Sequence, residues 1–309
     1  MAKYGQNPST ELQQLFAAMP LPYQGQEPQM SNYLEYWYHR LVSVARGNLK
    51  PLPGGVFYKY RNFGSENSET NRRLKRMIAN QEVYFAKPSQ FNDPFDCHPR
   101  ISVGYSLARY RRWVEGIVAQ NPNSATLTPR VRRNLVDTIM KQQSDSSARN
   151  QIFRNIVDAG TAVFSMSNVY DSLLQWSYYA GSHTGLCLRY KITGNFCGSQ
   201  LYGVEYARNR HIVDIIKAGE DGKYRSKETL RSVTTKARDW QHEKETRAIR
   251  VSNGLFQRPK SALTGIIFGL RTDPANKQLV QNWVAQAGLP IDFYDMADNP
   301  TNFGLHRTP

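Results

Sequence analysis

A chain of 309 residues with 40% apolar content is long enough to bury one large or two modest cores, which sets aside disordered and fibrous classes. Forty Lys and Arg against 25 Asp and Glu leave a formal charge of +15, which favours polyanionic partners: nucleic acid first, with an acidic inhibitor (antitoxin) protein or an anionic dinucleotide also fitting. No stretch has the apolar length of a membrane span or a signal peptide, and Cys97, Cys187 and Cys197 show no metal-ligand spacing. The expectation is therefore a reduced, cytoplasmic protein with no membrane contact and no structural metal.

Residues 1–30 read as an arm with a short amphipathic piece, Glu11 to Met19, and Ser31 caps a helix to about Arg46. The Pro- and Gly-rich run 51–55 marks a boundary, dividing an N-terminal arm and helix (1–55) from an α+β catalytic-type domain (56–309). Val56 to Arg61 reads as a strand, followed by a helix around Leu74, Met77 and Ile78 and a second strand at Val83 to Ala86. That strand leaves into a sharply turned loop, Lys87 to Pro99, in which Pro88, Asn92, Asp93 and Pro94 set turns and Phe91 and Phe95 act as anchors. Residues at about 105–160 are helical, rich in Arg and broken at Asn121 to Ser124, and are read as an inserted lobe with a solvated basic face. Ala162 to Ser167 is strand-like, Leu173 to Gly185 a short helix or turn, and Leu186 to Ile192 a strand with apolar even and polar odd positions. A strand at Leu201 to Tyr206, a basic helix at about 225–239, an apolar strand at Leu263 to Leu270 and a helix from about Ala275 complete the series. About six short strands without βαβ regularity and without a Gly-rich phosphate fingerprint favour α+β over a doubly wound sheet.

The stretch Trp240 to Val251 carries the chemistry. With a period of two, Glu243, Glu245, Arg247, Ile249 and Val251 share one face, and its apolar end is the side a sheet buries. Unpaired charges there cost several kcal/mol, roughly, so two carboxylates and a guanidinium must be paired or open into a cleft. The pattern predicts a site on a sheet. Its plainer alternative is a Glu–Arg–Glu cluster that closes or protects a sheet edge.

Four blocks in order resemble the bacterial domain of unknown function 2971 family: Tyr58-Lys59-Tyr60-Arg61; Val83-Tyr84-Phe85 with Pro88 to Asp96; Trp176 to Ala180 with His183-Thr184-Gly185; and Trp240 with Glu243, Glu245 and Arg247. The likeness covers about 56 to 270 and implies no activity. A more distant likeness does. A first strand ending in Arg61, a middle strand leaving through Ser89 and a late Glu243-x-Glu245 are similar to the Arg–Ser–Glu order of ADP-ribosyltransferases. That likeness implies a small mixed or antiparallel split sheet and NAD as substrate. It assigns Arg61 to the NAD phosphates or ribose, Ser89 to the nicotinamide side, Glu245 as the catalytic acid and Glu243 to the incoming nucleophile. The chain departs from it in two places: Ser89 sits in a Pro-Ser-x-Phe loop where Ser/Thr-x-Ser would stand, and Arg247 follows the acid pair.

The chemistry fits these residue types. Breaking the nicotinamide–ribose bond builds positive charge on the sugar, which a fixed carboxylate stabilises, and a guanidinium fork suits phosphate oxygens. Asn92, Asp93, Trp176, Tyr179 and Arg247 join the candidate binding set, with Tyr178 a further stacking candidate. His183, before Thr184-Gly185, reads first as a turn residue and second as a candidate base. RNA or DNA, or alternatively protein, would be the acceptor and the setting a toxin or phage-defence effector. Two other readings compete: a nuclease holding magnesium on Asp93, Asp96, Glu243 and Glu245, and a non-enzymatic nucleic-acid or partner-binding module with a purely structural charged strand.

Overall fold

The computed structural model describes residues 50–103, 106–120, 127–142, 154–155 and 157–309; the Glu11 to Met19 piece and the Ser31 to Arg46 helix lie outside them. The chain forms two compact units. One contains Cys97–Gly160 and Arg210–Val233, and the other contains residues 50–96, Thr161–Asn209 and Thr234–Pro309. From the N-terminal side the elements are β1 (Gly54–Arg61), α1 (Glu69–Ile78), β2 (Glu82–Phe85), β3 (Arg100–Ser102), α2 (Leu107–Gln120) and α3 (Pro129–Gln142). Next come β4 (Ala162–Ser167), α4 (Leu173–Tyr179), β5 (Leu186–Thr193), β6 (Gln200–Gly203), β7 (Glu205–Ala207), β8 (Ile212–Asp214), α5 (Ile215–Glu220) and α6 (Gly222–Thr234). The series ends with β9 (Thr235–Ala237), β10 (Glu245–Arg250), β11 (Gly254–Gln257), β12 (Leu263–Phe268), α7 (Pro274–Gln286), β13 (Asp292–Asp298) and β14 (Leu305–Thr308).

In the first unit the Arg-rich segment is helical, as α2 and α3. Tyr110, Val114 and Val118 form the buried stripe of α2, and Arg111 on its other side bonds Glu115 at 3.1 Å and Asp137 of α3 at 2.6 Å. β3 and β8 of the same unit pair in parallel.

The second unit is built on an eight-stranded sheet in the order β14-β13-β12-β5-β1-β4-β10-β6, antiparallel throughout except for β12 and β13. The architecture is mixed α and β, and the sheet is larger than the small one expected. β13 and β14 are absent from the sequence reading because Asp292, Asp295 and Asp298 interrupt the apolar alternation of β13. The expected strand Leu201 to Tyr206 is two strands in different sheets, β6 and β7, and the basic helix stops at Thr234, so that Lys236 lies on β9.

β5 is the spine. Leu186, Leu188, Tyr190 and Ile192 pack with Phe57, Leu74, Ile78, Phe85 and Phe164 in one cluster, while Cys187 joins Tyr58, Tyr60, Trp176 and Ile267 in another. The first half of β5 is buried on both faces, which suits its place inside the sheet, while Lys191 and Thr193 in the second half are exposed. α1 covers the first cluster with Leu74, Met77 and Ile78; its start is fixed by the Ser68 hydroxyl, which accepts from the Asn71 N–H at 3.2 Å.

Strand pairing around β1 is uneven. All eight residues of β1 pair with β5, from Gly54↔Thr193 to Arg61↔Leu186, but β1 shares only Tyr58↔Ser167 with β4. The start of β4 is bridged instead to Ala86 through Val163. Between these two points the sheet is open, with Lys59, Tyr60 and Arg61 on one side of the gap and Val163 to Met166 on the other. On the other edge of β1, where it pairs with β5, Gly185 allows a close approach, because a Cβ there would stand on the carbonyl oxygen of Arg61. Gly185→Ala is expected to destabilise the fold by about 1–3 kcal/mol through overpacking, read as a lowered urea midpoint.

Candidate active site

Every residue of the site belongs to the second unit. The period-two reading of Trp240 to Val251 as one strand is corrected: Arg238–Glu243 is a 3-10 turn, and β10 begins only at Glu245. Lys244 between them is left-handed (φ 43°, ψ 52°), which resets the chain so that both glutamates still turn inward. The turn is tied to the sheet by Ser167, whose hydroxyl donates to the Glu243 carbonyl at 2.7 Å, and by the Gln175 amide, which donates to the same oxygen at 3.2 Å. Asn168 donates its backbone N–H to the Lys244 carbonyl at 2.9 Å. β10 then pairs with β4 from Glu245↔Ser167 to Arg250↔Ala162.

The two acids enter a buried charge cluster. Lys236 Nζ lies 2.6 Å from Glu243 Oε2, 3.2 Å from Glu245 Oε2 and 3.6 Å from Asp96 Oδ2. Arg247, with 0% exposure, donates from Nε to Glu245 Oε1 at 2.8 Å and from one terminal nitrogen to both oxygens of Asp96 at 2.9 and 2.7 Å. The Tyr179 hydroxyl donates to Glu243 Oε1 at 2.6 Å. Three carboxylates against two cations leave one formal negative charge.

Burial alone would raise the Glu245 pKa, but the charges of Arg247 and Lys236 and hydrogen bonds from Arg247 and Ser165 outweigh it and bring it down to about 2. Lys236 answers in the opposite sense: burial works against its charge, and Glu245, Asp96 and Glu243 more than restore it, so its pKa rises. Burial and the bond to Glu243 push the Tyr179 phenol up, which keeps it a donor.

Beside the cluster lies a cavity of about 810 Å³. It is lined by Glu243, Glu245, Asp96, Lys236 and Tyr179 where β1 meets β4, and by Arg61, Arg73, Arg76, Glu82 and Tyr84 elsewhere on its wall. Lys59 and Arg61 differ from the cations of the cluster. Arg61 Nε bonds the Met77 sulfur at 3.5 Å, Lys59 donates to the Ser165 carbonyl, and among the described residues no carboxylate pairs with either. Burial and the Arg61 charge pull the Lys59 ammonium well below the usual lysine range, while Glu245 and Glu243 pull the other way; burial lowers Arg61 as well. Two basic side chains in the cavity wall that form no ion pair among the described residues suit an anionic ligand group.

The cavity thus gathers Arg61, Glu243, Glu245, Tyr179 and Asn92, whose side chain reaches the Tyr179 hydroxyl. It does not gather the rest. Arg247 stands behind Glu245, with its guanidinium 5.4 Å from the Phe91 ring centroid. Asp93 holds a turn, accepting from the Phe95 N–H and from the Trp240 indole, both at 2.8 Å. Ser89 is exposed in a 3-10 turn after β2. Trp176 is fully buried, donating to the Tyr170 carbonyl at 2.8 Å, and His183 stacks against it at 6.2 Å.

Lys59, Lys236, Ser165 and Ser167 are cavity residues that the sequence reading left out of the site. Two signals point to some of them. Lys59 shares a period-two face with Arg61, and Ser165-Met166-Ser167 is a Ser-x-Ser on a strand. Lys236 carries no such signal, because it sits in a run that reads as helix. The candidate metal ligands Asp96, Glu243 and Glu245 converge on Lys236 and Arg247, and among the described residues no acid, His or Cys group is arranged to hold a metal ion. Comparison of the chain with protein-family models, curated proteins and solved structures finds no match. Among the described residues no helix is long and apolar enough to cross a membrane.

Arg247→Met leaves Glu245 and Asp96 buried beside a methyl group and is expected to cost about 3–5 kcal/mol, measured by urea unfolding. Because the folded Glu245 pKa lies below its ordinary 4.5, its contribution to stability is present above about pH 4.5 and is lost as pH falls through about 2. Urea midpoints followed downward from about pH 6 should therefore drop less steeply for Glu245→Gln than for the wild type.

Proposed function

We propose that the second unit is an ADP-ribosyltransferase-type enzyme with NAD as its substrate and nucleic acid as its acceptor. The observation that carries this reading is that Arg61 and the Glu243–Glu245 pair line one cavity in the gap between β1 and β4. That gap supports a split sheet of the expected kind. In this reading Ser165 and Ser167 of β4, which lie between the arginine strand and the acid strand, take the place assigned to Ser89.

Transfer breaks the C–N bond between ribose and nicotinamide, with the electron pair leaving on the nicotinamide nitrogen. Positive charge develops at the ribose carbon. Glu245, pinned by Arg247 and Lys236 and ionised down to about pH 2, is an electrostatic stabiliser rather than a proton donor. The uncompensated negative charge of the cluster has the sign this transition state needs. Glu243 receives the proton of the acceptor nucleophile, while Lys59 and Arg61 hold the diphosphate. The formal charge of +15 supports attraction of RNA or DNA, a toxin or phage-defence role, and restraint by an acidic inhibitor protein.

The test is transfer of labelled NAD to RNA, DNA and protein by the whole chain. Glu245→Gln, confirmed as folded by circular dichroism, should lower transfer by about a hundredfold or more, the scale for loss of a transition-state electrostatic group. Transfer by that variant at the wild-type rate would remove Glu245 from the mechanism. Chelator-sensitive cutting of the nucleic acid would favour a nuclease, and salt-dependent binding without turnover a binding module.

A further inference from the structure

One end of the cavity takes no part in bond breaking. β1 runs antiparallel to β4 from Tyr58↔Ser167, so Arg61 lies three residues away, roughly 10 Å, toward the start of β4. That start is bridged to Ala86, one residue past β2. There β2 pairs with β11, and Tyr84 and Leu255 are direct register partners. Both line the cavity, and both remain unusually open for their size, at 44% and 48% exposure. Single exposed apolar side chains are ordinary, but two paired across strands at the rim of a pocket form a surface for something flat and apolar. The Tyr84 hydroxyl donates to Gln90 Oε1 at 3.2 Å, which fixes the direction of the ring. Arg76 of α1 adds a further cation to the same cavity.

We propose that Tyr84 and Leu255 seat the base of a nucleoside diphosphate whose phosphate oxygens lie on Arg61 and Lys59. The ordering along the gap is then base, diphosphate, and the ribose to be cleaved at the acid pair. In naming the adenosine end of NAD the inference rests on the transferase reading; the seat itself requires only a planar ring joined to an anion. Stacking on an aromatic ring tolerates different bases, so the seat selects for a base more than for its identity. Glu82 and Gln90, both of which line the cavity, supply polar groups that can meet the edge of the base.

Calorimetric titration of the whole chain with ADP and with inorganic pyrophosphate tests this directly. ADP should bind about tenfold more tightly than pyrophosphate, the scale expected when a base gains an aromatic partner. Tyr84→Ala should abolish that advantage and leave pyrophosphate affinity as it was. Tyr84→Phe should keep the advantage, and thermal unfolding establishes that both variants are folded. The inference is overturned if ADP binds no more tightly than pyrophosphate, or if Tyr84→Ala leaves ADP affinity unchanged. Nicotinamide release from NAD, measured in the same samples, separates the two proposals. A chain that cleaves no NAD but loses ADP affinity in Tyr84→Ala keeps the base seat and loses the transferase. A chain that cleaves NAD with ADP affinity indifferent to Tyr84 does the reverse.

Discussion

The ammonium of Lys236 organises the second unit. It receives Glu243 from the 3-10 turn, Glu245 from the first position of β10 and Asp96 from the end of the loop after β2. Two stretches distant in sequence, the one ending at Asp96 and the one from Lys236 to Arg247, are drawn to one buried point. Arg247 closes the cluster from behind by taking the second oxygen of Glu245 and both oxygens of Asp96. Charges at this depth persist only when their partners satisfy them almost completely, so the cluster fixes side-chain direction more surely than apolar packing would. The result is a carboxylate wall held rigid from the protein side and open on the cavity side.

The second constraint is the shortage of pairing between β1 and β4. A fully paired sheet would bury Lys59 and Arg61 against β4 with no room for a ligand. One register pair at Tyr58↔Ser167 holds the strands together, and the Ala86–Val163 bridge occupies the far end of the β4 edge. The gap between them is where Lys59 and Arg61, which form no ion pair among the described residues, meet the acid cluster. One cavity wall thus carries both basic and acidic side chains, with Lys59 close enough to Glu245 and Glu243 to feel their charge.

Much of the fold was legible in the sequence, and the reason is local. β5 alternates cleanly because it is buried differently on its two sides, and α1 and α7 show helical spacing with caps at Ser68 and Asp273. The misreadings share a cause. Trp240 to Glu243 has the alternation of a strand, and nothing in the residue types announces that Lys244 turns left-handed; the inward direction of Glu243 was inferred correctly through the wrong backbone. Lys236 was unreadable because three residues of β9 after a thirteen-residue helix carry no pattern of their own. Trp176 and His183 looked like ligand contacts because aromatic and imidazole side chains serve both roles; Trp176 is fully buried, and neither lines the cavity. Arg61 and the acid pair were legible because charge on an apolar face has few physical explanations.

The placement of β10 has a consequence for synthesis on the ribosome. This strand lies between β4 and β6, inside the sheet, yet it is among the later segments of the chain to be made. Until it emerges, β4 lacks the neighbour along which it pairs from Ala162 to Ser167, and neither glutamate is present. A nascent chain that already displays Arg61 and β4 therefore has neither a finished sheet nor an acid wall. The acid pair therefore arrives with the strand that completes the β4 side of the sheet, while β12, β13 and β14 are still to be made, and a prematurely terminated product ending before Glu243 lacks both acids.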